Sequence, residues 1–405
     1  MIRKVLGSLV VSFLLLAALE GTLSIGEIVY RGVLFQRDDW YILSRDLGWV
    51  NRPNFSGEWF ERGRNPRGFD DRGFASLDTQ QLATDNNRSR IIALGDSSTF
   101  GWGIRAEHTF TEVLDKQLPD FDIINFGVLG YSSFQGSQRF LKQGLALHPT
   151  LIIASFNFND RRAVPSAHDI DSEATFARYV MATRLIAVKQ LYVSKALTRV
   201  LRRLGLIQIR DASGSEEIIE DVRTLHARVP PESYRENLVK IAQTAKERHI
   251  PVIFLVLGDN PIQTEHLRKG IKFLDQSHYD SAINELSTAV REHNLFSLLA
   301  QKYLAQAYER MGRLAEARET LQVEKNVAAP MHGGLPVYLD TEYQSIMRDV
   351  AHDYSVNVVE ASQELDKDPS VYLDNCHPNE LEHAIIAHLL HEAVNDIMDL
   401  QRSAS

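Results

Sequence analysis

Cysteine is almost absent from this chain: Cys376 is its single one in 405 residues. That excludes an intramolecular disulfide framework and any cysteine-built zinc site. The 14 histidines include no His-x-x-x-His pair, so no metal is expected, and no motif points to a cofactor. Excess positive charge is missing as well. The net charge is −9 and neither end carries a basic tail, which argues against a nucleic-acid partner. A long uninterrupted apolar run is also lacking at the N-terminus, although a transmembrane signal anchor over 1–30 is still expected there. The uncharged run Val5 to Leu19 follows Arg3 and Lys4, and at ~1.5 Å per residue it falls short of a ~30 Å hydrocarbon core.

The apolar stretch Gly21–Tyr30 extends that run, with Glu20 and Glu27 interrupting it. The expectation is an uncleaved signal anchor over 1–30. A cleaved signal peptide and a buried helix are the competing readings. Cleavage is disfavoured because Ala17-Ala18-Leu19-Glu20 places Leu and Glu where small residues are wanted. Anchor and signal peptide alike keep Arg3 and Lys4 on the cytoplasmic side, so a membrane partner and an extracytoplasmic body, periplasmic or cell-surface, are expected.

What is present is 44% apolar and long enough for one large domain with a smaller one. Residues 31–88 read as a juxtamembrane lead-in of loops and short strands, rich in Arg, Asp, Gly and Asn. From 89 onward strands alternate with helices. Strands are expected at Ile91–Leu94, Phe121–Asn125, Thr150–Ser155, Pro251–Leu257 and Tyr354–Glu360. Helices are expected at Glu107–Leu118, Ser133–Leu147, Pro231–His249 and Asn379–Asp399. This alternation predicts an α/β fold, a parallel sheet covered on both faces, built from 89–261 and 327–402.

Two segments interrupt that rhythm. Ala174–Arg210 holds eight Arg or Lys and no acidic residue, with apolar residues at near-helical spacing. It reads as a surface helix or as a basic amphipathic helix against anionic headgroups. The second is an insertion over 262–326. There Tyr279-Asp280-Ser281-Ala282-Ile283 is echoed 35 positions on by Leu314-Ala315-Glu316-Ala317-Arg318. That period resembles tetratricopeptide (TPR) units, an ordinary helical hairpin being the plainer alternative. Fewer than three units cannot stand alone, so the insert must lean on the main domain, and it is a candidate surface for a protein partner.

The chemistry-bearing residues lie at strand ends. Ile91–Leu94 leads into Gly95-Asp96-Ser97-Ser98, which puts Ser97 beyond the carboxyl end of a buried strand, where open α/β sheets bind ligands. A serine hydroxyl needs a base to become a nucleophile, and that base needs a carboxylate on its other ring nitrogen. Asp374-Asn375-Cys376-His377 supplies both within one turn of chain. Each motif alone has a plain reading as cap or turn chemistry. Two further blocks follow strands: Gly127-Val128-Leu129-Gly130 offers a backbone N–H, and Phe158-Asn159-Asp160 a side-chain amide, either for an oxyanion or for loop capping.

Taken in order, Ser97, Gly130, Asn159 and Asp374–His377 resemble the blocks of the SGNH hydrolase superfamily (GDSL-like esterases), over roughly 90–258 and 327–400. The resemblance implies a three-layer α/β/α, flavodoxin-like SGNH hydrolase fold with a parallel central sheet. It also implies ester hydrolysis through an acyl-enzyme, with Ser97 as nucleophile, His377 as base and Asp374 as its partner. Ser97, Gly130 and Asn159 would then hold the oxyanion. Two departures stand out: Asn157 replaces a usual glycine and is expected to crowd the substrate side, and Glu382 stands where a glycine is common. Cys376 is expected to be a packing residue. The expected substrate is an acyl ester, on an exported or surface glycan or lipid. Two other readings stay open: an O-acyltransferase acting on an exported polysaccharide, and a non-catalytic membrane-tethered adaptor that works through the insert.

Overall fold

The computed structural model describes residues 41–44, 47–55, 68–69, 73–76, 88–164, 226–292, 294, 296–321, 338–365 and 372–404, together with Leu15 and Ala18. The chain divides into two units, 1–39 with 177–217 and 40–176 with 218–405, and the elements below belong to the second. Leu15 and Ala18 apart, the expected anchor lies outside the described residues, as does the basic segment 174–210. Among the described residues no helix is long and apolar enough to cross a membrane.

The first half runs β1 (Tyr41–Ser44), β2 (Gly48–Asn51), β3 (Gly68–Phe69), β4 (Ala75–Ser76), β5 (Ser89–Gly95), α1 (Ser97–Phe100), α2 (Phe110–Gln117), β6 (Phe121–Gly127), α3 (Ser133–Arg139), β7 (Leu151–Ser155) and β8 (Ala163–Val164). Then come β9 (His226–Ala227), α4 (Pro231–Glu247), β10 (Val252–Leu255), α5 (Pro261–Asp275), α6 (Tyr279–Arg291), α7 (Ser297–Arg310) and α8 (Leu314–Leu321). The chain closes with α9 (Asp340–Tyr354), β11 (Asn357–Val359), α10 (Ala361–Leu365) and α11 (Glu380–Ala404).

The central sheet has the order β11-β10-β7-β5-β6-β4-β3. Its first five strands are parallel, as the alternating pattern predicts. Side chains along a strand point to opposite faces in turn, which divides the core in two. Ile91 and Ala93 of β5 pack with Phe110 and Leu114 of α2 and with Ile386, Leu390 and Val394 of α11. Ile92 and Leu94 pack on the other face, with Leu238 and Ile241 of α4 and with Tyr343 and Met347 of α9. Helices on both faces make the three-layer α/β/α arrangement.

The structure departs from the expected pattern at several places. The lead-in contributes to the main sheet: β4 pairs antiparallel with β6, and β3 with β4. Isolated aromatics anchor it, Phe74 stacking on Phe126 at 4.3 Å between ring centres. The helix expected from Glu107 begins at Phe110, because the Thr109 hydroxyl accepts from the Glu112 N–H and ends a preceding 3-10 turn. After Arg139 the helix of Ser133 widens into a π-turn and then tightens to a 3-10 turn ending at Leu147. The strand expected from Tyr354 is confined to Asn357–Val359. Helix α9 runs through Tyr354 and is ended by Ser355 in the left-handed region, at φ 58°.

Helices α5 to α8 occupy the insertion, and α5, α6 and α7 share a core of Leu267, Leu286, Leu299 and Leu304 with small residues such as Ala282 and Ala300. Tyr279 and Leu314, the two echoed positions, open α6 and α8. The array leans on the sheet domain. Phe158 and Leu339 pack against its core, and Arg268 of α5 pairs with Asp340 of α9 at 2.6 Å.

Candidate functional site

The ends of the parallel strands bring the site together. Strand β5 stops at Gly95, and the Asp96 carboxylate accepts the Ser98 N–H at 2.9 Å, so that Ser97 opens the short helix α1. Burial pushes the Asp96 carboxyl up, against the lowering hydrogen bond from Ser98 and the neighbouring His377. The buried Asn125 side chain donates to the Thr99 carbonyl at 2.9 Å and accepts the Gly127 N–H at 2.9 Å, which ties α1 to the end of β6. Gly127 is required there: a Cβ would come within 2.3 Å of the Phe100 nitrogen.

Far along the chain, residues 372–378 fold back on themselves. Tyr372 pairs with Pro378, and the Leu373 N–H donates to the His377 carbonyl at 2.8 Å. Within this loop Asp374 Oδ1 accepts the N–H groups of Cys376 and His377, each at 3.0 Å. Its other oxygen, Oδ2, lies 2.7 Å from His377 Nδ1, and His377 Nε2 lies 2.7 Å from Ser97 Oγ. A carboxylate on Nδ1 holds the proton on that nitrogen, which leaves Nε2 as the acceptor for the serine hydroxyl. For Asp374, burial pushes the carboxyl up, but the hydrogen bond and charge of His377, with the two N–H groups, bring it below its ordinary value. Trp102 stands beside the imidazole, 6.4 Å between ring centres.

The other two expected residues follow the ends of β6 and β7 and are tied to the residues just before Ser97. Gly130 lies in the loop after β6 at φ +76°, a conformation that favours glycine, and the loop is tied to Gly95 through the Val128 N–H. Asn159 follows β7, is 3% exposed, and donates to Asp96 Oδ2 at 3.0 Å. The two departures are accounted for locally. Asn157 donates to the Leu257 carbonyl at 3.2 Å and lines a cavity of about 20 Å³ behind Ser98, so its amide bridges β7 to the segment after β10. Glu382 is fully buried, its N–H accepted by the Asn379 side chain. Cys376 is buried as well, and burial pushes its thiol well up, away from the reactive thiolate.

Asp374, Cys376 and His377 place possible ligand atoms within 4.8 Å of one another. Both oxygens of Asp374 and both ring nitrogens of His377 are taken up by the hydrogen bonds just described, which suits a proton relay rather than a cation cradle.

Several residues at the site escape a reading of the sequence. Asp96 has a signal, its place beside Ser97. Asn260, Arg228 and Trp49 have none, since each reaches the site through contacts distant in the chain, and Arg162, although it donates to Asn159 three residues away, carries no motif. The Asn260 side chain and main-chain N–H hold the carbonyls of Asp374 and Asn375 at 3.1 and 2.8 Å. Behind them a fully buried ion pair, Arg161 with Asp259 at 2.5 Å, joins the ends of β7 and β10.

The profile of the GDSL-like Lipase/Acylhydrolase family matches residues 93–385. Among curated proteins none matches the chain. Similar solved structures include LAE5, an alpha/beta hydrolase enzyme from the metagenome of Lake Arreo, at 15% identity, covering 76% of this chain and 95% of that one, with a TM-score of 0.37. Another is the lipase/acylhydrolase from Enterococcus faecalis, at 11% identity, covering 76% and 95%, with a TM-score of 0.36. A third is a member of the lipolytic protein G-D-S-L family from Veillonella parvula, at 12%, covering 75% and 97%, with a TM-score of 0.35. The family profile spans well over half of the sequence: the chain belongs to the GDSL-like lipase/acylhydrolase family of the SGNH hydrolase superfamily, and is an ester-cleaving hydrolase.

Proposed function

We propose that the chain is a serine esterase that works through an acyl-enzyme, with Ser97, His377 and Asp374 as its catalytic residues. The observation that supports this is the unbroken chain of 2.7 Å contacts from Asp374 through His377 to Ser97. As Ser97 Oγ attacks the ester carbonyl carbon, His377 Nε2 takes the hydroxyl proton. The carbonyl oxygen becomes an oxyanion, held by the N–H groups of Ser97 and Gly130 and the amide of Asn159. Donors of this kind are worth ~10²–10³ in rate each. Collapse of the intermediate breaks the ester bond, and the alcohol leaves with the proton from His377. A water then gives its proton to His377, attacks acyl-Ser97 and releases the acid, and Ser97 regains its proton.

On this reading the substrate is an acyl ester on an exported or surface glycan or lipid. Residues 1–30 hold the enzyme at the membrane with its catalytic domain outside the cytoplasm. Helices α5–α8 are a TPR-like docking surface for a protein partner. The decisive test is the full chain against short-acyl nitrophenyl esters, with a fluorophosphonate label mapped by mass spectrometry. Ser97→Ala and His377→Ala are expected to abolish nitrophenol release, and the label is expected on Ser97. Unchanged turnover in either variant, or a label elsewhere, overturns the assignment.

A further inference from the structure

Two of the three oxyanion donors proposed above are gripped from behind, one by Trp49 from far along the chain and one by Arg162 from three residues away. The N–H of Gly130 belongs to the Leu129–Gly130 peptide, and the carbonyl of that peptide accepts from Trp49 Nε1 at 3.0 Å. The amide of Asn159 is held at both ends. Its Oδ1 accepts from Arg162 Nη1 at 3.1 Å, while its nitrogen gives one hydrogen to Asp96 Oδ2 at 3.0 Å. A cation on the oxygen and a carboxylate on the nitrogen fix which way the amide faces, because a flipped amide would meet like with like at both ends. Its second hydrogen is the one the oxyanion uses.

We propose that Trp49 and Arg162 are positioning residues of the oxyanion hole, each donating to the oxygen of an amide whose N–H serves the oxyanion. The inference rests on Ser97 being the nucleophile. Such a bond does two things. It sets the plane of the amide, and it draws electron density toward the oxygen, so that the N–H becomes a stronger donor. The two positioning groups are themselves locked. Arg228 donates to the Gly130 carbonyl at 2.7 Å and to Gln135 at 2.6 Å, and its guanidinium lies 5.8 Å over the Trp49 ring. Tyr131 donates its hydroxyl to the Trp49 carbonyl at 2.6 Å. The β8–β9 ladder brings Arg162 and Arg228 together, with the Arg228 N–H on the Arg162 carbonyl at 2.8 Å. Burial and the neighbouring Arg228 pull the Arg162 guanidinium down to about 10, which leaves it charged at neutral pH.

The test is steady-state kinetics on the full chain with a nitrophenyl ester. Trp49→Phe keeps the ring and removes the donor; Arg162→Gln removes the charge; Arg162→Lys keeps a charged donor. Trp49→Phe and Arg162→Gln are expected to lower kcat about tenfold to a hundredfold, with KM within about twofold. Arg162→Lys is expected to recover most of the loss. In an Asn159→Ala background, Arg162→Gln should cost little more, because it acts through that amide. Unchanged kcat, a loss confined to KM, or full additivity of Arg162→Gln with Asn159→Ala would overturn the proposal. Should Arg162→Gln fail to fold, Trp49→Phe and Arg162→Lys decide the matter. If Ser97→Ala retains turnover, the nucleophile assignment has failed instead, and the two failures are told apart.

Discussion

The side-chain amide of Asn260 donates to the main-chain carbonyl of Asp374 at 3.1 Å, across 114 positions of sequence. The same side chain caps α5 through Oδ1, which accepts the Ile262 N–H at 3.1 Å. One residue therefore both starts the helical insert and holds the loop that carries Asp374 and His377. Two substitutions separate these roles. Asn260→Ala loses both, and is expected to cost about 1 kcal/mol through the cap together with a clear fall in kcat. Asn260→Asp keeps the cap but has no donor for the Asp374 carbonyl, so it should lose activity with a nearly unchanged melting temperature. Equal activity in Asn260→Asp and the parent would show that the contact does not hold the loop.

Gly127 offers a test of how closely α1 is set. A Cβ at this position meets the backbone of Phe100, at 2.3 Å from its nitrogen and 2.7 Å from its Cα, and backbone cannot step aside as a side chain can. Gly127→Ala is expected to destabilise the fold by about 1–3 kcal/mol, as overpacking does. Because α1 begins with Ser97, activity should fall further than the lost folded fraction explains. Denaturant titration and single-turnover rates on one preparation measure both.

The charge state of Asp374 ties stability to pH. Its carboxyl sits below the ordinary 3.8, chiefly because the hydrogen bond and charge of His377, with the backbone donors, outweigh burial. Below that value the unfolded chain therefore takes up the proton more readily than the folded one, and stability rises with pH across this window. The contribution is complete above about pH 5 and is lost as pH falls through the folded value. Asp374→Asn should flatten this part of the acid limb. Melting temperatures followed from about pH 5 down to about pH 2 check it, and parallel curves for parent and variant would count against it.

Much of the fold can be read directly from residue order. Strands β5, β7 and β10 are short continuous apolar runs, and such runs alternating with amphipathic helices leave few options besides a parallel sheet. Ser97 and Asp374–His377 were legible because each sits in a short motif at a strand or helix boundary. The pairing of β3 and β4 with the sheet was not, since two-residue strands carry no periodicity. Nor were Trp49, Arg162, Arg228 and Asn260. An arginine that will hold an amide reads, in sequence, like any surface arginine, and only contacts made by the folded chain tell the two apart.

The two-residue ladder of β8 with β9 has a consequence for how this enzyme can be altered. Val164 and His226 pair across it, so the two ends of the sequence between them are fixed side by side at one narrow gate. Closing a loop costs only about 0.6 kcal/mol more for each doubling of its length, which makes the gate indifferent to how much chain hangs from it. A short turn, or a foreign domain, could be spliced in between Val164 and His226. Arg162 and Arg228, just inside the gate, would keep their grip on the amides within.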